Sequence, residues 1–147
     1  MKKISMIFAL LLTIGITSAF AANEKISPRA IESFKTEFKS ATDVKWEAGS
    51  NYYMAAFTMN EQRIFAYYNL EGDLISTARY VSTLQLPINL FSELKNDYDK
   101  YWVSDLFEAN DASGLKYYVT LENADTKIML RSVNGSSWST YQKNKKV

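Results

Sequence analysis

The chain contains no histidine and no cysteine. The first absence removes the usual general base near neutral pH, the Ser–His and Cys–His nucleophile pairs, and the commonest zinc ligand. The second removes thiol catalysis, thiolate metal sites and disulfides. Any catalysis must then rest on carboxylates, lysine or tyrosine. Charge is equally uninformative as a grip: 17 basic residues face 16 acidic ones. A near-neutral chain has no general electrostatic hold on nucleic acid. The one basic cluster, Lys143, Lys145 and Lys146, reads as a solvated tail. Only two prolines punctuate the chain, Pro28 and Pro87, and both sit where a helix can begin.

Long hydrophobic runs are also scarce, with one exception at the start. Lys2 and Lys3 precede an apolar stretch from Ile4 to Ile16, followed by Ala19-Phe20-Ala21. That order is the pattern of a secretory signal peptide, with cleavage expected before Ala22. The run is short of the roughly 20 residues that span a bilayer. The expectation is a signal peptide over 1–21 and one domain over 22–147, periplasmic or secreted, with no stable membrane anchor after cleavage. Losing Lys2 and Lys3 leaves 15 basic residues against 16 acidic, a net charge of −1.

Aromatics are abundant: ten Tyr, eight Phe and three Trp. That supply is enough to build a core without disulfides. Ser27-Pro28 opens a helix in which Ile31, Phe34, Phe38 and Ala41 recur at helical spacing, over about Pro28 to Ser40. Leu86-Pro87 opens a second, with Leu90, Phe91, Leu94 and Tyr98 as its apolar stripe. The remainder reads as strands: Val44 to Glu47, Tyr52 to Met59, Arg63 to Leu70, Leu74 to Val81, Trp102 to Glu108, Leu115 to Leu121, Lys127 to Val133 and Ser137 to Tyr141. Asn134-Gly135 is the strongest signal for a tight two-residue hairpin.

The halves answer one another. Phe34-Lys35-x-x-Phe38 matches Leu94-Lys95-x-x-Tyr98, and Tyr52-Tyr53-Met54 matches Tyr117-Tyr118-Val119. Gly72 and Gly135 each precede a Ser-Thr pair by the same distance. The expected fold class is α+β: two tandem repeats, about 27–83 and 86–141, each of one helix plus a four-stranded antiparallel sheet, with helices on one sheet face.

The pattern Phe38…Val44-Lys45-Trp46…Tyr53-x-Ala55…Phe57…Ala66-Tyr67-Tyr68…Gly72…Leu86-Pro87 resembles the beta-lactamase-inhibitor-like, PepSY-like family of small exported bacterial proteins. The resemblance covers nearly all of 22–147. It departs at the tryptophan expected soon after each turn glycine, where Leu74 stands in the first half and Trp138 in the second. It implies a fold like the beta-lactamase inhibitor protein and a sheet face that engages a protein or peptide. It brings no active site, so no catalytic residue is carried over, and no cofactor or metal is expected.

Three short motifs carry weaker readings. Ser92-Glu93-Leu94-Lys95 matches S-x-x-K, but the companion motifs of penicillin-recognising enzymes are missing. The carboxylate pairs Asp43/Glu47, Glu93/Asp97 and Asp105/Glu108 would be the basis of a hydrolase. Asn134-Gly135-Ser136 matches a glycosylation sequon, against which the turn reading stands. The side chains expected on the open sheet face, and so at a partner, are Phe65, Tyr67, Arg79, Tyr117, Met129 and Arg131, because Tyr, Arg and Met are interface-enriched types. The functional expectation is a non-catalytic exported binding module, inhibitor-like, with an unknown protein or peptide as partner and no nucleic acid. The alternatives are a structural or envelope-stress protein that forms a homodimer, and a carboxylate-dependent hydrolase.

Overall fold

The structure is a computed structural model and describes residues 25–146. The signal peptide expected over 1–21 lies outside the described residues. Helix α1 spans Pro28–Glu37 and helix α2 spans Ile88–Asp97. The strands are β1 Thr42–Ala48, β2 Tyr53–Met59, β3 Gln62–Tyr68, β4 Leu74–Tyr80, β5 Trp102–Asp111, β6 Gly114–Glu122, β7 Thr126–Ser132 and β8 Ser139–Lys145. A 3-10 turn, Thr83–Gln85, precedes α2.

All eight strands form one antiparallel sheet in sequence order, β1 to β8. This corrects the expected fold class. The described residues do not build two four-stranded sheets in an α+β arrangement; among them the fold is mostly β, a single sheet with two ten-residue helices. The joint is the β4–β5 ladder, from Ser76↔Asp111 through Ala78↔Ala109 to Tyr80↔Phe107. Two separate sheets would each have left an inner edge of unpaired backbone groups, and pairing those edges satisfies them. β5 runs to Asp111, beyond the expected end at Glu108, because it answers both β4 and β6.

Both helices lie on the same side. α1 buries Ala30 and Phe34 against Ala55, Phe57, Ala66 and Tyr68, and α2 buries Leu90 and Leu94 against Leu106, Tyr117, Val119, Leu121, Ile128 and Leu130. The Phe34 ring meets Phe57 edge-on at 5.0 Å and Trp46 at 5.4 Å. Burying such a ring is worth about 2–3 kcal/mol. The exposed Arg29–Asp73 pair at the start of α1 contributes under about 1 kcal/mol, so packing rather than charge holds the helix. Gly72 makes the close approach possible. Its φ is +90°, and a Cβ there would stand 2.8 Å from the Ala30 backbone nitrogen.

The β7–β8 connection departs from the expected tight hairpin. It runs from Val133 to Trp138, because Trp138 is drawn under α2. The Trp138 indole donates to the Leu90 carbonyl at 3.0 Å, and its backbone N–H donates to Glu93 at 3.1 Å. Asn134 instead organises the loop, its side-chain oxygen accepting from the Ser136 backbone at 3.0 Å.

The β2–β3 turn is the tight one. Asn60 and Glu61 both adopt positive φ, 51° and 62°, the signature of a type I′ hairpin. Asn tolerates this, but Glu pays about 1–2 kcal/mol for it. Glu61→Gly removes that strain and returns part of it as unfolded-state entropy. The expected net gain is about 0.5–1 kcal/mol, a rise of about 2–5 °C in the thermal midpoint. A fall in the midpoint would contradict the turn geometry.

Candidate partner-binding face

Side chains alternate across the sheet, and the register assigns each to a face. The face without helices carries Met54, Ala56, Phe65, Tyr67, Ala78, Ala109 and Tyr118 in one apolar cluster, with Tyr52, Ile75 and Phe107 packed against it. Tyr67 and Tyr118 are each only 2% exposed, although no helix lies over them. In a flat sheet β3 and β6 would stand about 14 Å apart. They join one cluster because Ala78 and Ala109 pair between them. Such small residues leave a depression into which the larger side chains lean, so the face is a trough with a filled floor.

The six residues expected at a partner divide three ways. Tyr67 and Met129 belong to the helix-free face but are buried in its floor. Phe65 and Arg131 share that face and remain half-buried. Arg79 and Tyr117 lie on the other side. Arg79 pairs with Ile64 and Glu108 in the ladders, and Tyr117 belongs to the core beneath α2. The Arg79 guanidinium donates to Glu108 at 2.8 Å and to Gln62 at 2.7 Å. Hydrogen bonding to Glu108 raises its pKa, so Arg79 is a structural cation within the sheet.

Tyr80, Phe107, Tyr141 and Trp102 did not come from the sequence pattern. Tyr80 is 50% exposed, with its ring 4.2 Å from Phe107 and 5.8 Å from Phe65. These three rings form a continuous strip over β3, β4 and β5. At one side, the Tyr141 ring meets Tyr118 at 5.9 Å and lies 5.1 Å from the Arg131 guanidinium carbon. At one end, Trp102 is 54% exposed and carries the Lys146 ammonium 4.9 Å from its ring. The signal for Tyr80 was present in the alternation from Ala78, but only the pairing with Phe107 shows that the two rings share a face.

Burial sets the phenols' chemistry. It raises the Tyr67 hydroxyl well above the usual tyrosine range and Tyr118 to about 12. Both stay neutral at physiological pH, as hydrogen-bonding groups rather than bases. Burial alone would raise the Asp111 carboxyl, but hydrogen bonds from Lys116 and Ser113 outweigh it and hold the group below its usual value.

Among the described residues, two carboxylate pairs and the S-x-x-K motif can be placed. Asp105 and Glu108 point to opposite faces, Asp105 beside Thr120 and Glu108 beside Tyr117. Glu93 is engaged by the Trp138 backbone. Ser92 and Lys95 lie on α2, where the Lys95 ammonium stands over the Phe91 ring at 5.8 Å. Among the described residues, no group of three or more acidic side chains is placed to hold a metal ion. Among them, too, no helix is long and apolar enough to cross a membrane.

No family model matches the sequence, and no curated protein matches it. Solved structures do match in shape. A BLIP-like protein from Bacteroides fragilis NCTC 9343 superimposes with a TM-score of 0.71 at 18% identity, over 84% of this chain and 89% of that one. Its fold is BLIP-like. A DUF2874 family protein from Bacteroides ovatus ATCC 8483 gives the same TM-score at 19% identity, with the same coverage. Another from Bacteroides uniformis ATCC 8492 gives 0.71 at 14% identity, over 81% of this chain and 88% of that one. At such identities the BLIP-like likeness is one of backbone, so the side chains of the trough must be read from this chain alone.

The C-terminal end of the BLIP-like sheet is fastened by charge. Lys146 donates to Glu122 at 2.7 Å and to the Asn123 carbonyl at 2.9 Å, and Lys127 stands 3.4 Å from Glu122. Hydrogen bonds from Lys146, Ser104 and Lys127 lower the Glu122 carboxyl to about 2. Its unfolded value is about 4.3. A depressed folded pKa gives stability that is fully present above about 4.3 and lost as pH falls towards 2. Glu122→Gln is expected to be less stable than wild type at pH 7 and to lose less stability between pH 4.5 and 2.5. Urea midpoints at the two pH values measure this, and equal losses in both proteins would contradict the assignment.

Proposed function

We propose that the protein is an exported, non-catalytic binding module that engages a protein or peptide across the helix-free face of its sheet. The observation that carries this reading is the ring strip Phe65, Tyr80 and Phe107, with Tyr80 half-exposed at its centre. Tyrosine offers a large rigid contact area at low entropic cost, and aromatics with arginine dominate the energetics of interfaces. A trough floored by Tyr67, Met129 and Tyr118 is already packed, so its rim can meet a partner without first ordering itself, which saves part of the cost of association. The signal-like segment over 1–21 supports export to the periplasm or beyond.

Tyr67 and Met129 hold the platform, while Phe65, Tyr80, Phe107 and Arg131 touch the partner. A photo-crosslinking amino acid at Tyr80, in cells making the full chain, tests this against the same label at the exposed Asp97 of α2. Adducts are expected from position 80 and not from 97. The partner so identified, once purified, should bind Tyr80→Ala about ten-fold more weakly or worse. Equal adducts from both positions, or none from 80, would overturn the proposal. An adduct of twice the chain's mass would favour self-association instead.

A further inference from the structure

Arg131 has an unbalanced charge. It is half-buried on β7, its Nε is buried without an acceptor, and among the described residues no carboxylate lies within ion-pair reach of it. The Tyr118 hydroxyl is its hydrogen-bonding neighbour, and the Tyr141 ring centroid lies 5.1 Å from its guanidinium carbon. Asp111 is the acidic group near Tyr118, but it is committed elsewhere. Its oxygens take Lys116 and both the backbone N–H and hydroxyl of Ser113, and its side chain is only 3% exposed. Arginine cannot shed its proton to escape this position. Taking a guanidinium partly out of water without a counter-charge costs free energy that the rest of the fold must offset.

We infer that Arg131, held by Tyr118 and Tyr141, is a receptor for the carboxylate of an acidic side chain on a peptide-like partner. This rests on the binding-module reading and names the partner chemistry at one end of the same face. The guanidinium is pre-positioned, so little side-chain entropy remains to be lost when a carboxylate arrives. The Tyr141 ring, 5.1 Å from the guanidinium carbon, holds the cation in cation–π range, and a charged donor of this kind pairs strongly with a carboxylate. Complementary charge of this kind selects the partner and fixes its register along the strip more than it adds raw affinity.

The test is an NMR titration of the full mature chain, following the Arg131 side-chain N–H signal and the Tyr118, Tyr141 and Tyr80 ring signals. The probes are the capped peptide acetyl-Gly-Tyr-Glu-Tyr-Gly-amide, its Gln counterpart, and acetate. The Glu peptide is expected to shift the Arg131, Tyr118 and Tyr141 signals saturably, with an affinity about ten-fold above the Gln peptide. Acetate should act far more weakly than the Glu peptide. Arg131→Gln, with an unchanged thermal midpoint or with Arg131→Lys as a second variant, should remove the preference for Glu. Equal binding of the Glu and Gln peptides overturns the carboxylate receptor, and when the Tyr80 signals still respond the broader face reading stands. Acetate acting as strongly as the peptide overturns the peptide-side-chain part and leaves a site for small free carboxylates. No response at Arg131 or Tyr80 overturns both.

Discussion

The pairing of β4 with β5 is the constraint from which the rest of the molecule follows. Its registers place Ala78 beside Ala109 and Tyr80 beside Phe107. The first pair makes the floor of the trough low, and the second makes its rim aromatic. Without that ladder the helix-free sides of the two halves would be separate small surfaces. With it, Tyr67 from β3 and Tyr118 from β6 reach the same cluster. The ladder also carries the Arg79–Glu108 contact on the opposite side, where a cation and an anion close the gap between the regions packed beneath α1 and α2.

Two kinds of burial stabilise the sheet. On the helix side, amphipathic helices bring Phe34, Leu90 and Leu94 down onto strand residues. On the other side, the strands cover their own residues by cross-strand ring contacts, each worth about 0.2–1 kcal/mol. That second mode is what leaves Tyr80 and half of Phe65 at the surface: Tyr80 is flanked by Phe65 and Phe107, but it is the last residue of β4, so its ring stays half-exposed at the strand end. The distinction between a floor that stabilises and a rim that recognises is therefore geometric, since both are made of the same residue types.

Much of the local structure was legible in the sequence, because it depends on neighbours in the chain. The helices start at Pro28 and after Pro87, and each expected strand overlaps an observed one. But β8 runs Ser139–Lys145 rather than from Ser137 to Tyr141, so the lysines expected in a solvated tail are instead paired: Lys143 and Lys145 to β7, and Lys146 to Glu122. The joining of the strands into one sheet was not legible, since nothing local in Leu74–Tyr80 says which strand lies beside it. The face of Arg79 and Tyr117 was lost for the same reason. Alternation says which residues share a face, but only the ladder with Ile64 and Ser132 says which face it is. Asn134-Gly135 misled because its turn preference was overridden by the burial of Trp138, a contact 48 residues distant in sequence.

Functionally, the face combines a packed floor, a ring-rich rim and, in Arg131, a half-buried cation without an ion pair among the described residues. All of this assumes one continuous, cooperative sheet. Native-state hydrogen exchange across the β4–β5 ladder tests that assumption most directly. In a continuous sheet those amides should exchange only through global unfolding, with the same opening free energy as the amides of β2 and β6. Exchange of the β4–β5 amides at a markedly lower free energy, with the rest of each half still protected, would show two independently opening halves and contradict the shared trough.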